Sequence, residues 1–121
     1  MNSKTITIFT ILFVLFATSV RASKHMRVTA PGARPWKKNG GPIPVSWDCV
    51  ECSQNEDVVV KIIQIGPGIP VFRGNGKNAN TGHLDVPIGK DWDVNKPYFA
   101  EVSLRDDPSV SADGVKFTIV N

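Results

Sequence analysis

Tyr98, Ala100, Val102 and Leu104 alternate with Phe99, Glu101, Ser103 and Arg105. Val115, Phe117 and Ile119 alternate with Lys116, Thr118 and Val120, after a polar turn rich in Asp, Ser and Pro. Period-two alternation on both sides of a turn predicts two half-buried antiparallel strands, because successive strand side chains point to opposite faces. The second run closes the sequence, so no stalk, lipid anchor or further domain is expected to follow it.

The same pattern recurs upstream. Residues 27–30 predict a first strand, followed by loops at 31–35 and 39–42. Ile43, Val45 and Trp47 alternate with Pro44, Ser46 and Asp48. Pro44 has no N–H for a ladder, so this strand is expected at a sheet edge, or with Pro44 turned outward at a bulge. Residues 57–65 form the strongest strand, rich in Val and Ile, and Gly66-Pro67-Gly68 ends it. Residues 69–72 read as a short edge strand, 73–80 as a Gly/Asn loop, 82–86 as a short strand and 89–95 as a loop holding Trp92. No segment has a helical period. About seven short strands, with turn signals roughly every 8–12 residues, describe an all-β antiparallel sandwich of the immunoglobulin/fibronectin-like kind. Its expected core is Val45, Trp47, Val60, Ile62, Leu84, Tyr98, Ala100, Val102, Phe117 and Ile119.

The N-terminus changes the picture of charge and compartment. Lys4 precedes an apolar run over residues 6–20, and Val20-Arg21-Ala22 ends it in the manner of a peptidase site. This predicts a secretory signal peptide, residues 1–22, cleaved after Ala22, rather than a spanning helix of about 20 apolar residues. The mature domain is then residues 23–121. Lys4 and Arg21 leave with the signal and no acid does, so a balance of 14 basic and 11 acidic side chains falls from +3 to +1. No basic cluster beyond Lys37-Lys38 remains, which argues against nucleic acid and anionic membrane as partners.

One order of residues is similar to a known family. Pro31 follows the first strand, then Trp36, Gly40-Gly41 and Ile43-x-Val45-x-Trp47. Downstream come Asn80-Thr81-Gly82-His83-Leu84-x-Val86-Pro87, Tyr98-x-x-x-Val102 and Gly114-Val115-Lys116-Phe117-Thr118-Ile119. Over residues 26–120 this resembles the N-terminal domain of the yeast cell-wall synthesis (Kre/Knh-type) proteins. The resemblance implies a secreted immunoglobulin-like fungal domain linked to β-1,6-glucan assembly. Its motifs are core and turn positions, and they specify fold better than activity.

Candidate chemistry is sparse. Cys49-x-x-Cys52 admits three readings: a local disulfide, a redox pair and part of a zinc site. The oxidising route favours the disulfide; a redox pair needs a strand–helix setting, and zinc needs further ligands that only His25 and His83 could supply. Trp92, flanked by Asp91 and Asp93, and Trp36 sit in predicted loops. Each is either a flat surface for a sugar ring, with the carboxylates accepting hydroxyls, or a plug closing the end of the sandwich. His83 is expected to face solvent, and the Asp106-Asp107 and Asp91/Asp93 pairs read as turn residues. Cleavage after Ala22 would leave Ser23-Lys24-His25, whose α-amine, two amides and imidazole suit square-planar Cu(II) or Ni(II). No nucleophile arrangement or phosphate loop is defensible, and no cofactor is expected. The expected function is therefore non-enzymatic, and the resemblance implies a secreted domain associated with a fungal-type cell wall or extracellular matrix that binds β-glucan or supports wall assembly. The alternative is a secreted interaction protein that binds another protein through sheet faces or edges.

Overall fold

The computed structural model describes residues 23–121, and the predicted signal peptide lies outside them. The described residues form nine strands and no helix. They are β1 (His25–Ala30), β2 (Trp36–Lys37), β3 (Ile43–Val50), β4 (Val58–Gln64), β5 (Ile69–Gly76), β6 (Thr81–Val86), β7 (Pro97–Leu104), β8 (Ser111–Asp113) and β9 (Phe117–Val120). A three-stranded sheet runs β1-β3-β6. A larger sheet runs β2-β9-β7-β4-β5, with β8 also paired to β7. All pairings are antiparallel except β2 on β9.

The two sheets share one core. Ile43, Val45 and Trp47 point inward from β3, and Val58, Val60, Ile62, Tyr98, Ala100 and Val102 from β4 and β7. Trp47 is 1% exposed and its indole Nε1–H donates to the Asn78 carbonyl at 3.0 Å, so burial leaves no orphan donor. Glycines flank the ring: a Cβ on Gly76 or Gly82 would come within 2.7 Å of it.

Several expectations need correction. Leu84 is only half-buried, packed at the margin of the core, and Val115 is 55% exposed because β9 begins at Phe117. The strand expected to stop at Phe72 continues to Gly76, bulging opposite Ile62 and Ile63. Trp36–Lys37 and Ser111–Asp113 add two short strands to the expected seven. Pro44 sits in the central strand of its sheet, yet β1 ends opposite Ser46, so Pro44 lies beyond the reach of that neighbour.

The register that matters for the site is β3 against β6. Ile43 lies opposite Val86 and Pro44 opposite Asp85. The loop that enters β3 and the loop that leaves β6 are therefore held side by side.

Candidate functional site

The loop after β6 is built around Trp92. The ring is 5% exposed and stacks on Tyr98 at 5.7 Å, and Tyr98 stacks on Phe117 at 6.1 Å. A Cβ at Gly89 would lie 2.5 Å from the indole Nε1, so only glycine lets the loop close over the ring. Hydrogen bonds fix the rest. The Tyr98 hydroxyl donates to the Asp93 carbonyl at 2.7 Å, the Gln64 amide to the Asp93 carboxylate at 3.1 Å, and the Asn95 N–H to the Ile119 carbonyl at 2.6 Å. Burial, and then the Asp93 charge, push the Tyr98 phenol above its ordinary pKa, while its bond to the Asp93 carbonyl pulls the other way.

This corrects the expectation of an exposed aromatic platform at Trp92. The indole is a plug, and Asp93 is occupied in holding the loop. Asp91 is exposed beside the plug. Trp36 is half-buried on β2 against the core, with the Arg34 guanidinium stacked 4.0 Å from its ring centroid. Its Nε1 is buried without a hydrogen-bond partner among the described residues. Trp92 thus faces the interior, whereas Trp36 is half-buried and borders an open pocket with Arg34, Pro35, Lys37 and Gly40.

What the two loops do create is an open cleft of about 490 Å³, lined by Lys38, Asn39, Gly41, Pro42, Asp85, Pro87 and Ile88. Its volume falls in the usual range for ligand sites. Pro42, Pro87 and Ile88 give it an apolar lining, and Lys38, Asn39 and Asp85 a polar one. Gly41 has φ +94°, a left-handed conformation that turns the chain toward β3 and leaves the cleft free of a side chain there. The Lys38 ammonium donates to the Trp92 carbonyl at 2.9 Å, which fixes its place and leaves two further N–H donors. Asp85 lies 3.3 Å from His83 on the outer face of β6, where His83 is exposed as expected. Sequence reasoning did not find this cleft. Its two halves are more than 40 positions apart, and only the Ile43–Val86 register unites them.

The remaining candidates are dispersed. Cys49 and Cys52 form a disulfide, both sulfurs buried at the end of β3. Ser23, Lys24 and His25 are exposed. The Lys24 ammonium binds Glu56 at 2.8 Å, and that bond first, then the Ser53 N–H, lowers the Glu56 pKa. His25 is extended in β1 opposite Val50, so a chelate through residues 23–25 would require the first residue of the strand to leave its ladder. Among the described residues no group of three or more His, Cys, Asp or Glu could hold a metal ion. Asp48 is held below the ordinary carboxylate range by its hydrogen bonds from Arg27 at 2.7 and 3.1 Å. Comparison with known proteins adds nothing to this geometry: no family model matches the chain, and no curated protein matches it.

Proposed function

We propose that the chain is a secreted, non-enzymatic, immunoglobulin-like domain of a fungal-type cell wall or matrix. In this reading it binds a β-glucan strand in the cleft between residues 38–42 and 85–88. The cleft is the observation that carries the proposal. Pyranose rings present apolar C–H faces and a rim of hydroxyls. Pro42, Pro87 and Ile88 match the first, and Asn39, Asp85 and the fixed Lys38 ammonium match the second. The open side suits a polymer that enters and leaves.

The immunoglobulin-like part draws support from strand order. The orders β1-β3-β6 and β2-β9-β7-β4-β5 correspond to an A-B-E sheet facing a G-F-C sheet, with β5 as an added C′ strand. Tyr98 near the start of β7 bonds to an upstream carbonyl in the manner of a tyrosine corner. Two features depart from antibody domains: the disulfide joins residues three apart instead of bridging the sheets, and the buried Trp47 is on β3 instead of β4. The wall assignment rests on the resemblance of residues 26–120 to the cell-wall synthesis domain.

The test is retention of the purified protein on insoluble β-glucan, with release by soluble β-glucan fragments. Asn39→Ala and Asp85→Ala are expected to weaken retention about tenfold each, the effect of losing one well-made polar contact of about 1.4 kcal/mol, with unchanged melting temperatures. A wild-type protein that washes through, or variants retained as well as wild type, would overturn the proposal.

A further inference from the structure

We infer that the outer face of the larger sheet is an interaction surface for a second copy of this chain. The cross-strand registers place Arg73, Lys61, Glu101 and Asp113 directly opposite one another, in one row across β5, β4, β7 and β8. Ile62, Ala100 and Val102, their neighbours along the chain, are fully buried, so the row points away from the core. Charge changes sign once along it: two cations, then two anions. Among the described residues none of the four takes part in an ion pair.

The rows on either side carry no charge in these strands. One holds Pro70, Ile63 and Phe99. The other has Asn75 and Ser111 exposed at its ends, with Val59 and Ser103 between them already buried within the chain. The accessible face is thus an apolar band beside a charged band, bordered by a neutral row of which only the ends, Asn75 and Ser111, are exposed.

Such a face is complementary to itself. A two-fold axis parallel to the strands, between β4 and β7, reverses every row onto its own copy. Lys61 of one copy then meets Glu101 of the other, Arg73 meets Asp113, and Ile63 meets Phe99. Packed sheets keep their strands within about 30° of one another, so the pairs nearest the axis stay opposed even with twist. A partner of another sequence would have to present the reversed row, whereas this chain already does.

Four strands about 4.8 Å apart and three rows about 7 Å apart give a face roughly 20 Å across. That is about 400 Å² per copy, below the standard interface size and in the range of weak, transient contacts, so association is expected to be no tighter than micromolar and to weaken with salt. No cleft residue belongs to this face. A dimer would present two clefts, and a polymeric ligand would be held bivalently.

Sedimentation equilibrium of the purified protein tests the inference. Wild type is expected to show a monomer–dimer equilibrium at low salt that shifts to monomer as salt rises. Lys61→Glu and Glu101→Lys should each weaken dimerisation at least tenfold, because each sets like charges together twice. An equimolar mixture of the two variants should dimerise again, since the all-anion segment of one faces the all-cation segment of the other. A wild type that stays monomeric at high micromolar concentration would overturn the inference, as would single variants that dimerise like wild type or a mixture that does not associate. Melting curves establish that each variant folds. If one does not, Arg73→Glu and Asp113→Lys, at the exposed ends of the row, replace the pair with the same expected outcomes.

Discussion

Replacing Trp92 by alanine separates a structural plug from a binding platform. The indole is 5% exposed, stacked on Tyr98 and enclosed by Gly89. A buried Trp hides on the order of 200 Å² of surface, and at about 25 cal/mol per Å² its removal costs up to about 5 kcal/mol. Trp92 lies in a loop that can partly collapse into the space, so the lower part of the usual 3–5 kcal/mol range is expected, about 3 kcal/mol. For a domain near 100 residues each kcal/mol lowers the melting temperature by about 4–8 °C, so the fall should be about 12–24 °C. Urea unfolding followed by fluorescence and circular dichroism measures the free energy directly. Asp91→Ala, at an exposed neighbour, should stay within about 0.5 kcal/mol of wild type. A Trp92→Ala loss below 1 kcal/mol would refute the argument, because a stacked and enclosed indole cannot be removed so cheaply.

Three further outcomes follow from the packing. Tyr98 is the only tyrosine, so phenolate absorbance reports it alone. Its raised pKa means that the folded protein keeps the proton at pH values where the unfolded phenol, near 10, loses it. The associated stability is full below about pH 10 and is lost as pH rises through the folded pKa; a folded phenol titrating at its ordinary value would contradict this. Cys49→Ser with Cys52→Ser should cost about 2 kcal/mol, because the closed loop is very short, and should leave the β-rich circular dichroism spectrum intact. Gly82→Ala should destabilise by about 1–3 kcal/mol in denaturant titration, since its Cβ would meet the Trp47 ring at 2.7 Å and the Lys77 carbonyl at 2.9 Å; a neutral result would mean that β6 sits farther from the indole.

Much of the fold was legible because strand burial writes itself as period two. Val45, Trp47, Tyr98, Ala100, Val102, Phe117 and Ile119 were read as interior and are. Trp36–Lys37 was not legible as a strand, since two residues between Pro35 and a turn carry no period, and their parallel pairing with β9 is a tertiary matter. Trp92 looked exposed because Asp91 and Asp93 flank it. The local hint was Gly89, three positions earlier, whose missing side chain makes room for the ring. The cleft had no local signature at all. Gly40-Gly41-Pro42 reads as part of a loop and Pro87 only as the residue that follows a strand, and their meeting depends on the pairing of β3 with β6. The charged row on the larger sheet is equally non-local: Lys61, Arg73, Glu101 and Asp113 become a pattern only once four strands are in register.

The most direct test of the functional account is a chemical-shift titration of the labelled protein with a soluble β-glucan oligosaccharide. The account predicts saturable shifts at the backbone amides of Asn39, Gly41, Asp85 and Ile88, with the Trp92 indole N–H left unmoved inside the loop. An absence of shifts, or shifts centred on Arg73, Lys61, Glu101 and Asp113 instead, would contradict it.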